Sequence, residues 1–329
     1  MKKNARIAIM IGDPAGIGPE VVLKSLVANP EPAHILLIGD AGVVRNTASH
    51  LRIRLDIRSI SHVDHAHFEA GVISVLDPGT FDRQAFKVGQ VSAECGRAVV
   101  EWWDVATRLA LDRKVDAVIK APVNFESIRL SRRQPAVDSG GKSTHLLLIA
   151  GTLRVAHLTD HIPLRTVFSE ITQSRILDLI LLTHRALTSW GVASPRIGVA
   201  GLNPHAVGTE EAETIGPAVQ AACAQGVCVE GPIAPDSLFR QCLDGRFDCV
   251  LAHYHDQGHI AVKTNSAEGN CAIVLGEPFL RLSVAHGTAF DIAGKGIADP
   301  GALLMAIQHA ASLGSGRGFP IPSGAPPGN

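Results

Sequence analysis

Aromatic residues are scarce in this chain of 329 residues: Phe, Tyr and Trp together make up 4%, with a single tyrosine. Single-stranded nucleic acids are held on stacked aromatic rings, so a base-stacking function is not expected. A surplus of one charge is also lacking. Thirty Lys and Arg stand against 31 Asp and Glu, a formal net charge of −1, which leaves no basic excess to grip a phosphate backbone. No apolar run reaches the ~20 residues of a membrane span. The opening M-K-K-N-A-R-I-A-I-M-I-G-D-P places two lysines before an apolar run that stops at Gly12-Asp13. That run is too short for a signal segment and reads as a first strand. Cysteine is sparse as well. The six present include no C-x-x-C pair, so free thiols and a cytoplasmic location are expected.

What is present is apolar bulk, 46% of the residues, enough for a soluble protein with a large core. The length suits two domains or one large α/β unit. Continuous apolar runs at 6–11, 34–38, 71–76, 116–120, 154–159, 196–202 and 227–230 alternate with helical patterns at 19–27, 90–111, 172–190 and 210–225. In the helix at 90–111, Val91, Cys95, Ala98, Val99, Trp102, Val105, Ala106 and Leu109 recur at three- and four-residue spacing. Such alternation indicates a largely parallel sheet covered by helices. The Gly/Pro/Ser-rich end at 314–329 reads as a disordered tail.

Chemistry concentrates in V-L-A-H-Y-H-D-Q-G-H-I-A-V-K, residues 250–263. An apolar strand ends there in His253, Tyr254, His255, Asp256 and Gln257; Gly258 breaks the pattern, and a second apolar run leads to Lys263. In open α/β sheets ligands sit outside the carboxyl ends of strands. His161 and His205 also each follow a strand. Three imidazoles so placed suit a divalent transition metal with positions left for water or substrate. A polar turn between two strands is the plainer alternative. The denser cluster His62, His65 and His67 has no apolar strand feeding it and reads as a solvated loop. Two glycine-rich loops, G-D-P-A-G-I-G-P-E from Gly12 and H-G-T-A-F-D-I-A-G-K-G from His286, permit close backbone approach to a ligand. Neither is a G-x-G-x-x-G dinucleotide fingerprint. S-G-G-K-S-T at 139–144 fails as a phosphate-binding Walker loop, because Ala136 stands where glycine is needed.

Taken together, G-D-P-A-G-I-G-P-E, G-L-N-P-H-A, G-P-x-x-x-D-x-L-F (231–239), Y-H-D-Q-G-H and H-G-T-A-F-D-I-A-G-K-G resemble the 4-hydroxythreonine-4-phosphate dehydrogenase family. The last motif is similar to the cofactor loop of isocitrate and isopropylmalate dehydrogenases. The resemblance implies an α/β fold of two α/β/α domains around a central cleft. The expected division is 1–125 plus 270–313 on the cofactor side, 126–269 for substrate, metal and dimerisation, and the tail. It implies a homodimer with a shared active site, binding no nucleic acid and no membrane. The implied reaction is NAD- or NADP-linked oxidation of a secondary alcohol of a small hydroxy acid, commonly followed by decarboxylation of the β-keto acid. His161, His205 and His255 are the implied ligands of one divalent metal (Zn, Co, Mn or Mg), one of the three coming from the partner subunit. Lys263 and Arg281 fall on substrate-contacting positions, and Gly12, Asp13, His286, Gly287, Thr288 and Ala289 on the cofactor loops.

Lys263 is the candidate for proton transfer, with a carboxylate clamp as its alternative role. Asp256 is the candidate carboxylate acting through the imidazole it would orient, with Gln257 beside it. Three departures bear on substrate. The family's G-H-T loop is replaced by V-D-S-G-G-K-S-T-H, leaving Lys142, Ser143 and Thr144 as anion-binding candidates; the Gly-Glu after N-P-H-A is missing; and Ala272 stands where relatives carry Asn. They favour a catabolic relative acting on an unphosphorylated carboxylate, such as a cis-dihydrodiol carboxylate, or on 4-phosphothreonate. A metal-dependent lyase without nicotinamide and a non-catalytic sensor are the other classes.

Overall fold

The computed structural model describes residues 4–29, 33–137, 140, 143–265 and 269–320. In chain order the elements begin with β1 (Ala5–Met10), α1 (Gly18–Ala28), β2 (Ala33–Ile38), α2 (Ala41–His50), β3 (Asp56–Ile60), β4 (Val72–Leu76), α3 (Ala93–Leu111), β5 (Ala117–Lys120) and α4 (Phe125–Ser131). There follow β6 (His145–Ala150), β7 (Leu153–His157), α5 (Leu164–Glu170), α6 (Gln173–Ser189), β8 (Ile197–Ala200), α7 (Gly216–Ala224), β9 (Val229–Ile233), α8 (Pro235–Leu243), β10 (Cys249–Ala252), α9 (His255–Thr264) and β11 (Cys271–Leu275). The last two are β12 (Leu280–Val284) and α10 (Gly301–Gly314). The protein is α/β, as its alternating pattern predicts.

Two compact units divide the chain: residues 1–141 with 277–315, and residues 142–276 with 316–329. The sequence-based division lies at 125/126 and 269/270. Helix α4 lies close against α3 in the first unit: a Cβ on Gly96 would sit 1.9 Å from the Ser127 carbonyl oxygen.

In the first unit the strand order is β3-β4-β2-β1-β5-β12, every pair parallel. The central strand β1 is apolar along its length because both of its faces are buried, Ile7 and Ile9 as much as Ala8 and Met10. Helix α3 starts at Ser92, whose hydroxyl accepts from the Cys95 N–H, and buries Trp102. That cap is worth about 1 kcal/mol.

In the second unit the order is β11-β6-β7-β10-β8-β9. From β7 through β9 the pairs are parallel, but β6 runs antiparallel to both β7 and β11. The β6–β7 hairpin closes over Gly151-Thr152, with Ala150 paired to Leu153. The expected helix at 210–225 is wound as a π-helical turn, Glu211–Ile215, before α7.

The stretch that carries most of the chemistry differs from its predicted form. Residues after β10 do not run into a second strand; they form α9, with Gly258 inside it. Gly258 is there for space: an added Cβ would lie 2.2 Å from Nε2 of the buried His157 on β7. After it the helix turns His259 and Val262 inward, while Ile260 stays 62% exposed.

The tail also differs. Phe319 packs edge-on against Trp190 at 5.8 Å between ring centroids, and the Arg154 guanidinium lies 4.0 Å above it. Residues 321–329 lie outside the described residues. Among the described residues no helix is long and apolar enough to cross a membrane.

Candidate active site

In the second unit β7 and β10 run parallel, with His157 opposite Ala252. Both chains turn polar just beyond these residues, so Asp160 and His161 emerge beside Tyr254, His255 and Asp256. The Asp160, His161 and His255 ligand atoms all lie within 4.8 Å of one another. They line an open hollow of about 260 Å3 with Ile162, Leu164 and Tyr254.

Each imidazole carries a carboxylate on Nδ1. His255 Nδ1 lies 2.7 Å from Asp256 Oδ1, and His161 Nδ1 lies 3.1 Å from Asp160 Oδ2. A carboxylate only accepts, so the proton of each neutral ring sits on Nδ1 and Nε2 keeps its lone pair. The other Asp160 oxygen, Oδ1, is buried without a hydrogen-bond partner. Two imidazole lone pairs and an orphaned carboxylate oxygen fit a divalent cation of the zinc or cobalt type.

Two further histidines continue the cluster inward. His259 stacks on His255 at 3.6 Å, and His157 lies 4.8 Å beyond. Burial pushes His157 down to about 3 and His259 down to about 4, with the neighbouring imidazole charges adding to both. Both rings are therefore neutral at physiological pH, an uncharged back wall to the site. His253, fully buried, donates from Nε2 to the Ala200 carbonyl at 2.7 Å. Gln257 accepts from the His253 N–H and donates to the Gly201 carbonyl. Its amide is thus spent tying the ends of β10 and β8 together rather than orienting an imidazole.

His205 is not in the cluster. It stands exposed on the turn Pro204–Ala206, in a left-handed conformation at φ 59°. The turn is braced by Glu211, whose carboxylate accepts from the Leu202 and Asn203 N–H groups at 2.7 Å each and from the Asn203 amide at 2.8 Å. Those bonds hold the Glu211 carboxyl below the usual range even though its burial works the other way.

Lys263 is exposed in the last turn of α9, and Thr144 is exposed just before β6. Lys142 lies outside the described residues. Ala272 is buried in β11 opposite Leu148, where it offers no polar group.

In the first unit the two glycine-rich loops meet. The Ile17 N–H donates to the Thr288 carbonyl at 3.0 Å. Gly12, at φ 81°, leaves no room for a side chain, since a Cβ would sit 2.4 Å from the Pro122 carbonyl oxygen. Asp13 is buried and shapes the loop, its Oδ1 accepting from the Ala15 N–H at 2.8 Å. Burial raises its pKa. His286 and Gly287 are exposed, and nothing lies within 4 Å of the open side of Gly287. Thr288 is buried and Ala289 takes a left-handed turn at φ 41°. An open backbone on a fixed loop fits the close approach a dinucleotide requires. Arg281, on β12, pairs with the buried Glu277 at 2.7 Å.

Sequence reasoning passed over Asp160, His157, His259 and Lys120. For Asp160 a signal existed: D-H at 160–161 mirrors H-D at 255–256, a carboxylate beside each imidazole. For the others no local signal separates them from ordinary core and strand-end residues.

A family model described as pyridoxal phosphate biosynthetic protein PdxA matches residues 31–310. The chain belongs to the PdxA family. A relative from Novosphingobium aromaticivorans, provisionally named a 4-hydroxythreonine-4-phosphate dehydrogenase, is 43% identical over 317 residues, 95% of this chain and 96% of the relative. A Fusobacterium nucleatum protein, provisionally named a D-threonate 4-phosphate dehydrogenase, is 39% identical over 322 residues, 94% and 97% of the two chains. The crystal structure of a 4-hydroxythreonine-4-phosphate dehydrogenase from Klebsiella pneumoniae shares the fold of this PdxA-family chain, with a TM-score of 0.83 and 37% identity, covering 94% of this chain and 99% of that one.

Proposed function

We propose that this chain is a divalent-metal-dependent, NAD- or NADP-linked dehydrogenase that oxidises the secondary alcohol of a phosphorylated hydroxy acid and promotes decarboxylation of the β-keto product. The observation that carries the reading is the Asp160–His161–His255 cluster, in a chain of the PdxA family. The names of the relatives favour 4-hydroxythreonine 4-phosphate and D-threonate 4-phosphate over an unphosphorylated substrate.

His161 and His255 would hold the cation through the Nε2 lone pairs that their Nδ1 contacts leave free, with the Asp160 carboxylate as a third ligand. A bound divalent cation would stabilise negative charge on the substrate oxygen, and a bound nicotinamide would accept the hydride. Asp256 keeps the proton of His255 on Nδ1. Lys263, about two turns along α9 from His255, takes the hydroxyl proton or returns a proton to the decarboxylated carbon. Gly12, Asp13 and the stretch from His286 to Ala289 form the nicotinamide side, with buried Asp13 and Thr288 fixing the loops that approach the dinucleotide. Arg281 grips an anionic group of the substrate.

His205 completes the metal set from a second copy of the chain, which makes the active unit a homodimer. Exposed apolar side chains next to the hollow support this: Leu164 is 61% exposed and Phe168 58%. Sedimentation should give a dimer at assay concentration; turnover by a monomer contradicts it.

The test of the reading is formation of reduced nicotinamide from 4-hydroxythreonine 4-phosphate or D-threonate 4-phosphate, with NAD and NADP in separate assays. Reduction of neither cofactor by either compound, with divalent metal present, would overturn it.

A further inference from the structure

We propose that Lys120, Arg281 and Trp103 form an oxyanion-binding subsite in the first unit, with Lys120 supplying the charge that holds a carboxylate or phosphate group. Strands β5 and β12 are parallel, with Arg281 opposite Val118 and Ser283 opposite Lys120. Residues two apart in a strand share a face, so Lys120 and Arg281 project from the same side of the sheet. Trp103 of α3 lies between them: its ring centroid is 4.5 Å from the Arg281 guanidinium carbon and 5.8 Å from Lys120 Nζ. Lys120 is the last residue of β5, at the carboxyl end where parallel sheets receive ligands.

The charges do not balance. Arg281 is paired with Glu277, whose side chain is only 2% exposed. Lys120 has no carboxylate within ion-pair distance among the described residues. Two cations and one carboxylate leave a net positive charge on a half-buried indole floor. An uncompensated ammonium there is costly to keep. Burial, with the Arg281 charge added, pushes Lys120 down to about 8. A second donor is unspent as well: Arg281 Nε is buried without a partner. The other Glu277 oxygen is also unpartnered and would repel an anion, but the net charge of the three groups remains positive. An oxyanion between Lys120 and Arg281 Nε satisfies both donors at once.

The inference rests on the dehydrogenase reading only in taking the anion to be part of the substrate. It offers oxyanion donors in a chain whose sequence lacks the family's G-H-T motif. The test uses the full chain without metal or nicotinamide. Tryptophan fluorescence is titrated with inorganic phosphate and, separately, with malonate. A saturable change is expected with at least one, and the tighter of the two identifies the group held. Lys120→Met should raise that Kd tenfold or more, whereas Lys120→Arg should stay within about threefold of the native value, because it keeps the charge. Isothermal calorimetry on Trp103→Phe should still show binding after the optical signal is lost. An unchanged Kd in Lys120→Met overturns the proposal. So does the absence of saturation by either anion in the unaltered protein, a result that does not depend on a variant folding. A chain that binds oxyanions through Lys120 yet reduces no nicotinamide keeps this subsite and loses the dehydrogenase reading.

Discussion

In the first unit, the loop from Gly12 to Glu20 is buried residue by residue and hydrogen-bonded to Pro122 and Thr288 before any ligand arrives. In the second unit, His161, Asp256 and Lys263 stand exposed at the ends of β7 and along α9. One region presents backbone, shaped by glycine and a buried aspartate; the other presents side chains, with the ligand atoms of Asp160, His161 and His255 within 4.8 Å of one another. Substitutions in the first should therefore act through folding and those in the second through chemistry.

The largest effect belongs to the exposed side. His161→Ala and His255→Ala should each lower kcat/KM by roughly a thousandfold or more, about 4 kcal/mol. The melting temperature of the metal-free protein should hardly move in His161→Ala, because exposed substitutions rarely change stability by more than about 0.5 kcal/mol, and should fall only modestly in His255→Ala, whose half-buried ring stacks on His259. A large loss of stability in either variant would mean that these imidazoles are structural.

Gly12→Ala should show the converse. A methyl 2.4 Å from the Pro122 carbonyl oxygen, on a residue at φ 81°, forces the loop to move. A destabilisation of roughly 2–4 kcal/mol is expected from chemical denaturation. A fully stable Gly12→Ala protein would show that this loop is looser than its burial indicates.

The pH dependence of stability should have opposite signs in the two units. His157 has a folded-state pKa of about 3, against about 6.5 in the unfolded chain. Between those values the unfolded chain binds the proton and the native chain does not. Stability is therefore full above about pH 6.5 and is lost as pH falls toward 3, on the order of a few kcal/mol. Asp13 is an acid whose pKa burial has raised. Its contribution is lost instead as pH rises through that raised value, where the native state must give up a proton. Denaturation midpoints from pH 4 to 7 should rise with pH for the native chain, and more shallowly for His157→Gln, which retains a donor for the Leu146 carbonyl. Equal slopes would remove His157 as the cause.

Asp256→Asn should have the smallest effect. It removes the carboxylate from His255 Nδ1 without touching Nε2, and metal affinity should fall about 10- to 100-fold. Equilibrium dialysis would show it; unchanged affinity would mean that the 2.7 Å contact does not orient the ring.

Much of the fold was legible because buried parallel strands are continuous apolar runs: β1, β5 and β10 lie where I-A-I-M, A-V-I-K and C-V-L-A occur. The hairpin of β6 and β7 was missed, although Gly151-Thr152 between two apolar runs is a turn signal. α9 was misread because Gly258 looks like a breaker when only its own segment is seen; its reason is His157, a residue on another strand. The site divides the same way. His161 and His255 stand out in the sequence as polar residues at strand ends, and the structure brings them near one another. The separation of His205 from them and, among the described residues, the orphaned oxygen of Asp160 and the unpaired charge of Lys120 depend on contacts between distant segments, which no local pattern carries.

The central claim, a cation held by Asp160, His161 and His255, is tested most directly by the visible absorption of bound Co2+. The native chain should bind Co2+ saturably with a ligand-field spectrum of nitrogen and oxygen donors. That spectrum should vanish in His161→Ala and in His255→Ala, whether or not nicotinamide or substrate is present. Co2+ bound with an unaltered spectrum in both variants would place the metal elsewhere and contradict the account.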